Sequence, residues 1–499
     1  MRPAVRDVLS MLDALGVKRQ RLTVDSRSVA EGDVFVALPG SRVDGREFIT
    51  MAKARGAVAV LRETAQSTVS DHGIPVIDVN TLTETLGEIA DGFYGEPSAR
   101  LGVLGITGTN GKTSIATWIA QALTTLGEPC GSVGTLGVSF AGVSSSTQNT
   151  TPDAASVHTI LRDLGGAGAK AVAMEVSSHA LELHRVAGVR FDAVIFTNLT
   201  QDHLDFHGTM EAYGAAKAQL FTDYPVHHRI INADDSFGAE MIARNLPHTV
   251  SYGLTAGEVR GTVLKVSATG MWLSIGYRGD QGTVETQLIG RFNAYNLLAV
   301  AATLLARGQP FKQVTDVLSS LSPAPGRMQR VSTDSTNSPR VYVDYAHTPD
   351  ALAKALDTVR ETAPASLSVV FGCGGDRDRR KRPIMGAIAA ERADHVYVTS
   401  DNPRSEQPEA IIAEIAAGVA AAQQGALTKV TLRREAIQLA IASASEKDAI
   451  LIAGKGHENY QEVNGVRYAF SDVDEARLAL NARKIQSPHV RPEGRYVVR

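Results

Sequence analysis

The segment that most limits the fold runs from Leu101 to Thr113, Leu-Gly-Val-Leu-Gly-Ile-Thr-Gly-Thr-Asn-Gly-Lys-Thr. An apolar strand that ends in a glycine-rich turn and opens a helix is the first unit of a parallel α/β sheet. Glycines let the backbone come close to a polyphosphate. Successive N–H groups and the helix N-terminus then face the anion. In that reading Gly108, Thr109, Asn110, Gly111 and Ser114 line a nucleotide, Lys112 neutralises β/γ oxygens, and the Thr113 hydroxyl binds Mg²⁺. The spacing departs from the strict GxxxxGK[ST] form. The loop names a nucleotide phosphate but not its use, because motors, kinases and ligases all carry such loops.

The same alternation extends along the chain. Strand patterns at Leu101–Thr107, Ala171–Val176 and Ala193–Thr197, with a helix over Thr113–Leu126, read as βαβ units. Further strands are expected at Val341–Asp344, Leu367–Phe371, His395–Thr399 and Ala449–Ala453, with a helix over Ala410–Gln423. Before them, Val34–Leu38 and Ala57–Leu61 are strand-like and separated by turn signals. Gly261–Leu288 reads as an antiparallel insert, and the Pro-rich Ser322–Gly326 marks a boundary. At 499 residues about three domains are expected, here 1–97, 98–330 and 331–499. The tail Pro488–Arg499 is polar and expected to fray.

Composition narrows the class. Lys plus Arg number 50 and Asp plus Glu 53, so no global charge draws the chain to nucleic acid or an anionic membrane. The two cysteines, Cys130 and Cys373, form no CxxC pair, which disfavours thiolate zinc and disulfides. Early charges interrupt any signal-peptide core, and the longest uncharged tract, between Glu128 and Asp153, is rich in Ser, Thr and Gly. A cytoplasmic protein without membrane insertion is expected.

Ligands of parallel sheets collect at the C-terminal ends of the strands. Glu175 ends one such strand, and His203 lies in the loop after the next, so both should converge near Thr113. Carboxylate, hydroxyl and water make a magnesium shell, and one histidine nitrogen is workable in it. Each has a plainer reading: an ion pair or helix cap for Glu175, a hydrogen-bonded loop residue for His203, and a solvated helical lysine for Lys217.

Eight separated motifs stand in one order: Gly108–Thr113, Asn149–Pro152, Met174–His179, Asp202–Asp205, Gly290–Asn293, Gly326–Met328, Val343–His347 and Gly454–Glu458. Over nearly its whole length the chain resembles the Mur ligases of peptidoglycan synthesis, and within them the enzyme that extends UDP-MurNAc-L-Ala-D-Glu by a third residue. The resemblance implies a UDP-substrate domain, a central ATP domain and a C-terminal Rossmann-like domain for the incoming amino acid. It implies ATP and Mg²⁺, an acyl-phosphate intermediate and a monomer. It marks Lys112, Glu175, His203 and Lys217 as catalytic, Lys217 being carbamylated. It places Asn293, Asn296, Arg327 and Asp344 at ATP, with Arg327 reaching a phosphate across a domain cleft. Ser26, Ser41, Arg42, Val43, Asn149, Thr150, Thr151, Ser177 and Arg185 fall on the UDP substrate. Leu183 and Ser41-Arg42-Val43 depart from the enterobacterial pattern of contacts.

Asp401-Asn402-Pro403-Arg404 matches the family's meso-diaminopimelate motif, and Arg377, Gly454 and Glu458 complete the pocket that the likeness implies. Diaminopimelate carries a distal carboxylate that a guanidinium binds bidentately, while L-lysine has none. Arg377–Arg382 reads equally as a solvated basic loop. The competing functions are an L-lysine-adding relative, a folylpolyglutamate-type amide ligase and a non-catalytic nucleotide binder.

Overall fold

The computed structural model describes residues 3–40, 43–64, 73–332, 338–422 and 426–486. Ser41, Arg42 and the tail from Pro488 lie outside them. The chain divides into two compact units. One comprises Met1–Thr262, Ser274–Val284 and Ala294–Leu321; the other comprises Val263–Leu273, Glu285–Asn293 and Ser322–Arg499. Each of the three expected blocks contributes a sheet, giving the α/β architecture read from the sequence.

The first sheet has four parallel strands, Leu22–Thr23, Val34–Ala37, Ala59–Glu63 and Val76–Val79, in that order. Val34 to Ala37 are all buried, as a parallel strand covered on both faces requires. The strand expected over Ala57–Leu61 instead continues to Glu63. Arg62 stands opposite Asp78 in the register, and their side chains pair at 2.7 Å. That ion pair lets two charges occupy strand positions that an apolar pattern does not reveal.

The central sheet has eleven strands. At its middle Gly102–Thr107 lies between Ala171–Glu175 and Phe191–Phe196, parallel to both. Phe191–Phe196 starts earlier than its apolar run, because Asp192 is neutralised by Arg307 at 2.5 Å. The register sets Ile106 beside Glu175 and Thr107 beside Phe196. The three C-terminal strand ends therefore lie level, and the loops that follow them crowd together. Val259–Ser267, Gly270–Tyr277 and Asp280–Thr286 form three successive strands at one end, matching the expected insert. Their two-residue connections are too short for a parallel crossover.

The third sheet runs Gln329–Val331, Arg340–Asp344, Ala449–Ala453, Leu367–Phe371, His395–Val398, Ala426–Lys429. The first pair is antiparallel and the rest are parallel. Both faces carry apolar cores, one built around Leu367, Val369 and Phe371 and the other around Val341, Val343 and Ile450.

Candidate active site

The helix Lys112–Thr125 begins at the residue after Gly111, and no side chain caps it. The positive end of its dipole favours an anion there. Gly108 and Gly111 sit at φ +138° and +91°, a region that favours glycine. Space enforces the same choice: a Cβ on Gly108 would lie 1.8 Å from Thr197 Oγ1, and one on Gly111 2.5 Å from Asn296 Oδ1. Asn296 thus sits against the loop.

The next strand's end staples the loop. Thr197 Oγ1 donates to the Asn110 carbonyl at 2.6 Å, the Asn110 N–H donates to Asn198 Oδ1 at 3.1 Å, and the Thr109 N–H donates to the Asn198 carbonyl at 2.8 Å. Lys112 Nζ reaches back to the Gly108 and Thr109 carbonyls at 2.8 and 2.9 Å. Thr113 and Ser114 are buried.

On one side of the loop stands Glu175, only 2% exposed. Its carboxylate accepts from the Thr135 N–H at 2.8 Å and from Thr135 Oγ1 at 3.3 Å. The Thr135 hydroxyl lies 3.2 Å from that of Thr150. Thr151 Oγ1 donates to the Glu175 carbonyl at 2.8 Å and accepts from the Ser177 N–H at 3.1 Å. Arg185 Nη1 donates to the Thr151 carbonyl at 3.0 Å, and burial lowers its pKa. Thr150, Thr151, Ser177 and Arg185 are therefore gathered around Glu175. Asn149 and Val43 are exposed, whereas Ser26 is buried. Leu183 is exposed.

On the other side, His203 adopts a left-handed backbone, φ +53°, with Asp202 Oδ2 3.5 Å from its Nε2. Burial lowers its pKa, and the charges of Lys112 and Lys217 push the same way. His179 lies edge-on to it, ring centres 4.8 Å apart, and is pushed down to about 4 chiefly by burial. Lys217 is 1% exposed. Burial and Lys112 drive its ammonium well below the ordinary value, opposed by Asp202. The plainer reading of a solvated lysine at this position therefore fails: the helix turns Lys217 inward. Glu175 and His203 flank the loop as expected, yet their described partners differ. Among the described residues, no group of three or more His, Cys, Asp or Glu side chains is arranged to hold a metal.

In the second unit, Asp344 accepts from the Met328 and Ala346 N–H groups at 2.7 and 2.8 Å. Burial raises its pKa, and Arg327 opposes the rise. The Arg327 guanidinium lies 4.7 Å over the Tyr345 ring. Asn293 Nδ2 donates to the Ile289 carbonyl at 2.8 Å, closing the first turn of the helix Arg291–Ala306.

The Asp401–Arg404 turn is built around Lys455, which is fully buried. Lys455 Nζ donates to Asn402 Oδ1 at 3.0 Å and to Glu458 Oε2 at 2.9 Å, and Asn402 Nδ2 also donates to Glu458 at 2.9 Å. The Glu458 carboxylate, which the likeness places in the amino-acid pocket, thus already holds a lysine. Arg404 has φ +51°, and its Nη1 donates to the Gly375 carbonyl at 2.7 Å. A Cβ on Gly454 would lie 2.7 Å from Asp401 Oδ2, so that close approach needs glycine. Pro403 is buried and Arg377 exposed. The basic run is only partly solvated, because Arg382 is buried against Glu406 and Glu414.

Reading the sequence assigns no role to Thr135, Asn198, His179, Tyr213 or Lys455. His179 and Lys455 stand inside motifs already singled out and Tyr213 outside them, and burial is what sets Tyr213 and Lys455 apart.

Three family descriptions match in order: the Mur ligase family catalytic domain over residues 20–94, the Mur ligase middle domain over 106–304, and the Mur ligase glutamate ligase domain over 326–456. A UDP-N-acetylmuramoyl-L-alanyl-D-glutamate–2,6-diaminopimelate ligase of Pseudomonas aeruginosa is 47% identical over 474 residues, 94% of this chain and 96% of the relative. Its namesake from Neisseria meningitidis is 46% identical over 95% and 97%. A solved structure of a ligase of that name superposes with a TM-score of 0.68 at 36% identity, covering 93% of this chain and 95% of the other.

Proposed function

The chain belongs to the Mur ligase family, and from that membership we infer that it is the ATP-dependent, ADP-forming ligase that adds meso-2,6-diaminopimelate to UDP-MurNAc-L-Ala-D-Glu in peptidoglycan precursor synthesis. The observation that carries the reading is likeness at 47% identity over 94% of the chain to a relative bearing that activity's name. The geometry supports each requirement of the chemistry.

The substrate's free carboxylate oxygen attacks the γ-phosphorus of ATP. The β–γ bridge bond breaks, leaving ADP and an acyl phosphate. The amine of diaminopimelate then attacks the acyl carbon, loses its proton and expels phosphate. The glycine-rich Gly108–Thr113 turn, the helix N-terminus that follows it and the Lys112 ammonium hold the nucleotide phosphates, stabilising charge where it moves. Thr150, Thr151, Ser177 and Arg185 hold the UDP substrate, helped by Ser26, Asn149 and the segment around Val43. Asn293, Asn296, Arg327 and Asp344 serve the nucleotide.

The donor set fits Mg²⁺. Glu175 is buried with hydrogen bonds from Thr135 and no ion pair among the described residues, and burying a carboxylate without an opposite charge is costly. Glu175, His203 and Thr113 are the residues that would hold a cation, which would relieve that cost. When bound, it supplies charge neutralisation at the phosphates. Lys217, buried beside Lys112, is depressed toward the neutral amine, the form that adds CO₂ to become a carbamate and release a proton. Carbamylation turns a buried cation beside Lys112 into an anion.

Arg404 and Arg377 serve the distal carboxylate of diaminopimelate, and Asp401 its ammonium, with Asn402, Pro403, Gly454 and Glu458 setting the pocket. We expect three domains, at 1–97, 98–330 and 331–499, in a monomer acting in the cytoplasm. Among the described residues no helix is long and apolar enough to cross a membrane.

The test is phosphate release with ATP, Mg²⁺ and UDP-MurNAc-L-Ala-D-Glu, comparing meso-diaminopimelate with L-lysine. Release with diaminopimelate alone is expected. Release with lysine would overturn the role of Arg404, and release with neither would overturn the ligase reading.

A further inference from the structure

Tyr213 sits where the phosphate loop, the His203 loop and Lys217 meet. It is 1% exposed on the helix Met210–Thr222, one turn before Lys217, so the two share a face. Lys217 Nζ lies 4.2 Å from the centre of its ring. The His207 ring lies 5.0 Å away, and the His203 ring 6.1 Å away and edge-on. Its hydroxyl is 3.3 Å from Thr109 Oγ1.

The direction of that last bond follows from counting. The Thr109 hydroxyl gives its one proton to the Thr200 carbonyl at 3.1 Å and accepts the Thr200 N–H at 3.0 Å. One acceptor site remains, so Tyr213 is the donor. Burial pushes the phenol up to about 12, which keeps that proton in place.

We propose that Tyr213 is a positioning residue for the ligation: its hydroxyl sets the phosphate loop through Thr109, and its ring sets Lys217 and His203, so one rigid side chain holds the nucleotide subsite and the Lys217 subsite in register. The inference rests on the reading of Gly108–Thr113 as the nucleotide loop. It separates two functions within one residue, because Tyr213→Phe removes only the hydroxyl, whereas Tyr213→Leu removes the ring as well.

The experiment measures the Kd of ATP alone by calorimetry, and kcat and KM by phosphate release, for wild type, Tyr213→Phe, Tyr213→Leu, Thr109→Val and the Tyr213→Phe/Thr109→Val pair. Tyr213→Phe is expected to weaken ATP about five- to tenfold, the worth of one lost hydrogen bond, with kcat within about twofold of wild type. Added to Thr109→Val it should cost almost nothing more, because Thr109→Val has already removed the one bond that the Tyr213 hydroxyl makes to it. Tyr213→Leu should lower kcat in addition, by roughly tenfold or more. Equal ATP affinity in wild type and Tyr213→Phe, or full additivity in the pair, overturns the proposal even where Tyr213→Leu fails to fold. Wild type that binds ATP but ligates nothing refutes the ligase reading instead, and the ATP affinities still decide the role of the hydroxyl.

Discussion

Gly134→Ala tests the placement of Glu175 without touching it. Gly134 ends the strand Cys130–Gly134, and its backbone is not left-handed, so alanine brings no φ strain. A Cβ there would meet Glu175 Oε1 at 2.2 Å and its Cδ and Cγ at 2.6 Å. Ordinary contact lies near 3.5 Å, so the carboxylate must retreat by about 1 Å. It has little room, being 2% exposed and tied to Thr135. Overpacking of this kind costs about 1–3 kcal/mol of stability. A 1 Å displacement of a group that positions reacting atoms costs roughly 100-fold in rate. The expected result is a folded enzyme with a modestly lower Tm and kcat for phosphate release down by about two orders of magnitude. Glu175→Asp in the same background shortens the side chain and should recover part of the loss. The control is Gly166→Ala, at the end of the helix Ala154–Gly166 with nothing within 4 Å, which should leave turnover unchanged. Gly134→Ala turning over within about threefold of wild type would refute the catalytic assignment of Glu175.

Three further outcomes are expected. Arg404→Ala should raise KM for diaminopimelate roughly 10–150-fold with little change in KM for ATP, and an equal rise in both removes its role in recognition. Arg433→Met should destabilise the second unit by about 3–5 kcal/mol in urea unfolding, because it leaves Asp472 buried without its bidentate partner at 2.7 Å; a loss below 1 kcal/mol would show that the pair is dispensable. Asp91 is held up at about 6 by burial, so the native state binds its proton more tightly than the unfolded state does. That penalty is absent below pH 3.8, grows as pH rises toward 6, and is complete above it, at about 3 kcal/mol. Asp91→Asn should therefore stabilise the protein more at pH 8 than at pH 4, and equal gains at both would rule out burial of the charge as the cause.

Much of this fold is legible because parallel strands buried on both faces announce themselves as apolar runs: Leu367–Phe371 and Ala449–Ala453 fall where their side chains require. The misplaced strand ends share one physical origin. Arg62 and Asp192 are charges that belong to strands, and each is tolerated only because a partner distant in sequence, Asp78 or Arg307, neutralises it. Local patterning carries no trace of a partner 16 or 115 positions away. The site follows the same division. Glycines whose missing side chain admits another group, such as Gly108 and Gly111, mark the phosphate loop directly. Lys217 shows nothing of its kind in its own neighbourhood, since an alanine-rich helix accepts a solvated lysine equally well. What makes it chemical is a fold that buries it near Lys112. Lys455 is hidden in the opposite way, inside a glycine-rich motif where attention falls on the substrate's contacts. Its ammonium binds Asn402 and Glu458 and so fixes the turn that carries Arg404, which makes it the support for recognition rather than a contact. In this chain the residues proposed to touch phosphate are readable locally, and the residues that hold them in place are readable only once the strand ends have been brought level.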